Sequence, residues 1–149
     1  MTEVSFYHLQ VEPLERALPR LLEKVVERGM TSLVRMKEEG LREQLDLALW
    51  TFSPDSFIAH GIGEDDKAAE NPVLLTLEGT ANLNNANVLV LLQDSDGADV
   101  KDFDRCLYMF DGGDEDALQA ARGRWKSLKA DGLDVTYWQQ SATGWKKKA

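Results

Sequence analysis

The chain has 149 residues, 43 % of them apolar and 29 % charged, with a formal net charge of −9. That length suits one domain spanning 1–149 with a sizeable core, and no apolar run approaches the roughly 18 residues that cross a bilayer. A lone cysteine, Cys106, excludes an internal disulfide framework, and the N-terminal MTEVSFYHLQVE lacks the basic-then-apolar order of a secretory signal, so a reducing cytoplasm is expected.

Two periodicities alternate along the chain. Residues 4–9, VSFYHL, read as a strand, and 13–28 carry Leu14, Leu18, Leu21, Leu22, Val25 and Val26 at helical spacing. Pro13 suits a first helical turn and Gly29 a stop, whereas Pro19, inside the pattern, predicts a kink or a later start. A strand is expected at 31–36, TSLVRM, and an amphipathic helix at 41–50 with Leu41, Leu45, Ala48 and Leu49 on one side. Ser53-Pro54 marks a turn, 56–59 an extended piece, and the polar, glycine-bearing 61–71 a loop with the composition of a mobile one. The apolar runs PVLLTL at 72–77 and ANVLVLL at 86–92 have the length of strands covered on both faces. An acidic turn region at 94–102 and a strand at 105–110, RCLYMF, follow, with Cys106 expected as inert core packing.

The next segment is the most informative. Gly112-Gly113 and Asp114 lead into a helix over about 115–130, ended by Gly132, with acids at its start and Lys126 and Lys129 near its end, as the helix dipole favours. From Ala117 onward the last 33 residues hold seven Lys or Arg against two Asp, so the basic charge of this acidic chain is concentrated at one end. Arg122, Trp125, Lys126 and Lys129 stand at i, i+3, i+4 and i+7 and share one helical face. Cations beside an indole suit an acidic peptide ending in an apolar side chain: the cations hold carboxylates and the ring receives the apolar group. The competing reading is an ordinary solvated helix with Trp125 turned into the core. A last strand at 133–139, LDVTYWQ, precedes the polar SATGWKKKA, read as a flexible solubilising end.

The alternation predicts an α/β chain: three layers, a mainly parallel sheet with helices on both faces, Rossmann-like but without a nucleotide-binding loop. Gln10-Val11-Glu12-Pro13, after the first strand, has no glycine to admit a pyrophosphate, and Glu12 would repel one. Asp94-Ser95-Asp96-Gly97 is not a calcium loop, because the glycine comes too early and Arg105 occupies the twelfth position. His8 and His60 lack cysteine partners at zinc spacing, and His8 reads as structural. No nucleophile elbow or P-loop is present, so no catalytic residue, cofactor or metal is expected. The acidic field disfavours direct DNA binding by the molecule as a whole.

Taken in order, FYHL at 6–9, LDLALW at 45–50, FSPDSFIAH at 52–60, Pro72-Val73 and RGRWK at 122–126 resemble the chi subunit family of bacterial DNA polymerase III holoenzyme. The likeness runs over nearly the whole chain. It implies a non-catalytic accessory subunit that binds the acidic C-terminal tail of single-stranded DNA-binding protein, meets DNA only indirectly, and connects to the clamp loader through the psi subunit. It implies tail binding by Arg122, Trp125, Lys126 and Lys129, with Trp125 where the family commonly has Tyr, a change that keeps the ring and loses a hydroxyl. It also implies a second interface at Trp50, Phe57 and His60, for psi or an iron–sulfur helicase, against the alternative that Trp50 is core. Two rival functions fit parts of the chain: direct single-stranded nucleic-acid binding through the basic helix and the Trp145–Lys148 segment, and a degenerate nucleotide-binding enzyme.

Overall fold

The computed structural model describes residues 2–52, 58–62 and 67–149. Its elements are β1 (Glu3–Leu9), α1 (Leu14–Glu27), β2 (Ser32–Met36), α2 (Glu39–Thr51), β3 (Gly61–Ile62), β4 (Val73–Leu77), β5 (Val88–Leu91), β6 (Arg105–Asp111), α3 (Glu115–Ala130), β7 (Asp134–Ser141) and β8 (Gly144–Lys147). They form an eight-stranded sheet in the order β3-β4-β2-β5-β6-β1-β7-β8, parallel throughout except for the antiparallel pair β7–β8.

Each face of the sheet carries its own core. On one, Leu18 and Leu22 of α1 and Leu45 and Leu49 of α2 pack with Val34, Val90, Leu107 and Met109. On the other, Ala121 and Leu128 of α3 pack with Phe6, Leu89, Cys106, Tyr108 and Val135. Alternation along each strand sends successive side chains to opposite layers, which is why β5 is buried on both faces. Each fully buried Leu contributes about 1.5–3 kcal/mol of transfer free energy, so these two layers dominate stability. The three-layer α/β architecture is the expected one.

Several local expectations are corrected. α1 begins at Leu14, with Pro13 as its cap, and runs through Pro19 without a later start. The buried face formed by Ala17, Leu18, Leu22 and Val25 outweighs the one backbone hydrogen bond that Pro19 cannot donate. The 61–71 segment is not all loop, since Gly61–Ile62 pairs with β4 and Ala68–Glu70 forms a helical turn. Of the expected extended piece at 56–59, Ser56 and Phe57 lie outside the described residues, and Ile58 and Ala59 are in no strand. The C-terminal segment is not a loose end: Gly144–Lys147 turns back as β8, and Trp145 packs edge-on against Tyr7 at 5.0 Å. Cys106 is inert, as expected, being fully buried with its thiol pushed up to about 12 by desolvation.

Candidate functional site

α3 is positioned from its first residue. The Asp114 carboxylate accepts from the amides of Asp116 and Ala117, satisfying donors that the helix leaves open. Ala121 and Leu128 then hold its inner face on the sheet. This leaves Arg122, Lys126 and Lys129 exposed, while Trp125 sits half-buried at the seam between helix and sheet. The indole stands edge-on to Phe6 at 5.5 Å and to Tyr137 at 5.8 Å, and the Lys129 ammonium lies 5.3 Å from its centroid. Trp125 is therefore neither sealed in the core nor free on the surface: it packs against two aromatic neighbours, and the Lys129 ammonium lies over its ring. Among the described residues no carboxylate lies within ion-pair distance of Arg122, Lys126 or Lys129. Like charges held together unpaired are electrostatically unfavourable in isolation and are relieved by an acidic ligand.

Sequence reasoning missed the floor of this seam. His8 Nδ1 and the Tyr137 hydroxyl share a hydrogen bond of 2.6 Å. Burial lowers the His8 pKa, with Asp111 opposing and the Arg122 charge adding to the effect. Burial raises that of Tyr137, with Arg122 opposing. The imidazole thus favours its neutral form and the phenol keeps its proton. Gly112 packs against the His8 ring so closely that an added methyl would collide with it. The available signal was the strand alternation that puts Phe6 and His8 of β1 and Tyr137 of β7 on one face.

Arg124, the remaining arginine of RGRWK, belongs to another system. It turns to the opposite flank of α3, forms a 3.1 Å ion pair with Asp94 and donates to the Ser95 carbonyl at 2.8 Å. Its guanidinium lies 5.3 Å from the Tyr108 ring centroid. Arg124 ties α3 to the loop after β5 and adds nothing to the cationic face.

The second predicted surface is divided. Trp50, at the end of α2, is 55 % exposed, and Leu47 one turn earlier is 63 % exposed, so the reading of Trp50 as core is overturned. Leu47 lies within the LDLALW match but was given no role by the sequence, although its i, i+3 spacing to Trp50 puts both on one face. The His60 side chain is fully buried beneath the indole, with ring centroids 5.0 Å apart. Its Nδ1 faces the Ile58 carbonyl and its Nε2 the Asp46 carboxylate, each at 2.8 Å. His60 therefore supports Trp50 and cannot itself be the contact surface. Phe57 lies outside the described residues.

A cavity of about 1100 Å3 opens at the carboxyl ends of β1 and β6, where nucleotide-binding relatives of this architecture place their ligand. The amides of the loop after β1 are already bonded within the chain. The Gln140 carboxamide oxygen accepts from the consecutive amides of Gln10, Val11 and Glu12 at 3.3, 3.0 and 3.0 Å, and its nitrogen donates to Glu12 at 3.0 Å. Glu15, Asp111, Asp114 and Asp116 line the mouth, adding repulsion to occupancy. Among the described residues no group of three or more His, Cys, Asp or Glu is placed to hold a metal ion, and no helix is long and apolar enough to cross a membrane.

Residues 1–136 match the family model described as DNA polymerase III chi subunit, HolC. The chain is 33 % identical over 139 residues to DNA polymerase III subunit chi of Pseudomonas aeruginosa, covering 91 % of this chain and 94 % of that protein. It is 35 % identical over 100 residues to the probable DNA polymerase III subunit chi of Rickettsia prowazekii, covering 67 % of this chain and 60 % of that protein's length.

Proposed function

The chain belongs to the DNA polymerase III chi subunit family, and from that premise we propose that it is a non-catalytic replication subunit whose α3 face binds the acidic C-terminal tail of single-stranded DNA-binding protein. The observation that carries this reading is the seam itself: three exposed cations with no ion pair to a described carboxylate, on the helix face of an indole packed against Phe6 and Tyr137. In this reading Arg122 presents a planar guanidinium to the terminal carboxylate, Trp125 offers its ring to the terminal Phe, and Lys126 draws in the upstream Asp residues. Lys129 has a double task, since it also rests on the indole. Anchored recognition of this kind concentrates energy in aromatic and Arg contacts.

The test is calorimetric titration of an acidic nine-residue peptide ending in Pro-Phe, with and without the terminal Phe. The full peptide is expected to bind, and removal of Phe to weaken it at least about tenfold, the loss of one buried aromatic anchor. Equal affinity for both peptides would reduce the site to unspecific charge attraction. Binding of single-stranded DNA with equal strength and a steep salt dependence would favour a direct nucleic-acid contact instead.

The same reading assigns the α2 surface, Leu47 and Trp50, to a second protein partner, which in this family is psi of the clamp loader or an iron–sulfur helicase. Its support is the pair of exposed apolar side chains over a buried, hydrogen-bonded His60. Trp50→Ala is expected to abolish capture of that partner while leaving peptide titration unchanged. Retention of every partner by the variant would remove Trp50 from the interface.

A further inference from the structure

We infer that the β7–β8 hairpin forms a second wall of the α3 site, with Lys146 and Lys148 continuing the cationic face into one track for the acidic stretch of an extended peptide. This rests on the peptide-binding reading above and extends it to residues outside the helix.

Gln139 pairs with Lys146, Gln140 with Trp145 and Trp138 with Lys147, and the Lys148 amide donates to the Tyr137 carbonyl at 2.7 Å. Side chains directly opposite in an antiparallel pair share a face. Lys146 therefore lies on the face of Gln139, and we place Lys148, one residue beyond β8 and two beyond Lys146, on the same side, its amide held by the Tyr137 carbonyl while the Tyr137 amide donates to the Ala149 carbonyl at 3.1 Å. This is the α3 side of the sheet, because Tyr137 meets the Trp125 edge at 5.8 Å and Val135 is in the core beneath the helix. Trp145 and Lys147 take the opposite side, where Trp145 packs on Tyr7.

The Trp145 contact fixes the choice. A slip of one residue would expose the indole and exchange the two sets of lysines, so the packing of one aromatic side chain determines which cations face α3. β8 is the last strand of the sheet, and Lys146, Lys147 and Lys148 are all exposed, with no ion pair to a described carboxylate. In a chain of net charge −9, this places two more cations, with no ion pair to a described carboxylate, on the side of the sheet that carries Arg122 and Lys126. Lysines on an edge strand also discourage strand-to-strand aggregation, and for that purpose either face serves equally. Lys147 therefore supplies the internal control: it has the same charge and strand, and faces away.

The test titrates the acidic nonapeptide against the full chain and the variants Lys146→Gln, Lys148→Gln and Lys147→Gln at several salt concentrations. Lys146→Gln and Lys148→Gln are each expected to weaken binding about threefold at low salt, the scale of an exposed ion pair, and to flatten the salt dependence. Lys147→Gln is expected to leave both quantities at the level of the unaltered chain. Unchanged binding by the first two variants, or an equal loss from all three, would overturn the inference while leaving the α3 site standing. Failure of the unaltered chain to bind the peptide would overturn the reading itself and this extension with it.

Discussion

Replacing Arg122 with Ala is expected to weaken binding of the acidic tail peptide by at least about 30-fold, equivalent to about 2 kcal/mol. Arg122 is exposed and has no ion pair to a described carboxylate, so its removal leaves no buried charge behind and the free protein keeps its stability. The loss falls on the complex, where a terminal carboxylate would be desolvated without its bidentate partner. Lys in its place is expected to recover only part of the affinity, because an ammonium supplies charge without the planar fork. Calorimetry at moderate salt checks both variants, with thermal unfolding as the control. Unchanged affinity of the Ala variant would take the carboxylate contact away from this residue.

Among the described ion pairs, the largest expected loss of stability is at Asp99. The Arg35 side chain is 5 % exposed and is held by two parallel hydrogen bonds to the Asp99 carboxylate, at 2.7 and 2.9 Å, with a third to the Asp96 carbonyl at 2.7 Å. Removing the carboxylate strands a guanidinium beneath the sheet's loop layer. A fully buried pair broken in this way costs about 3–5 kcal/mol; Asp99 is 39 % exposed, so Asp99→Ala is expected to cost about 2 kcal/mol. The hydrogen bonds from Arg35 hold the Asp99 pKa below the ordinary carboxylate value, against an opposing effect of burial. A carboxyl whose folded pKa is depressed adds stability above its unfolded value and loses it as pH falls through the folded one. The gap between the unaltered chain and Asp99→Ala in urea unfolding is therefore expected to be full at pH 7 and to close below about pH 4. A gap that persists undiminished at pH 2 would show that the carboxylate charge is not what holds Arg35.

The layered fold was legible because its signals are local and repeated. Leu14, Leu18, Leu22 and Val25 announce α1, VLLTL and VLVL announce buried strands, and the Asp114 cap marks the start of α3. The cationic face of α3 was legible for the same reason, since one helix places all four of its residues. What escaped were features made by residues far apart in the chain. Tyr137 and His8 meet across 129 positions, and nothing in either segment alone announces that pairing. Trp145 looked like part of a polar tail because its partner, Tyr7, is at the other end of the sequence. Trp50 was ambiguous because a helix-terminal aromatic satisfies both a core and a surface pattern, and only the packing of His60 beneath it decides. Arg124 shares a motif with Arg122 and Trp125, yet helical geometry assigns it to Asp94 on the far flank.

Gln140 carries a consequence for how quickly partners are met. A carboxamide tethered to the same chain competes for the first loop's amides at an effective concentration that dissolved phosphate does not match. The loop after β1 is thereby tied to β7 by one side chain. Under the proposed peptide binding, capture of the acidic tail would depend on encounter and charge steering rather than on rearrangement of this loop.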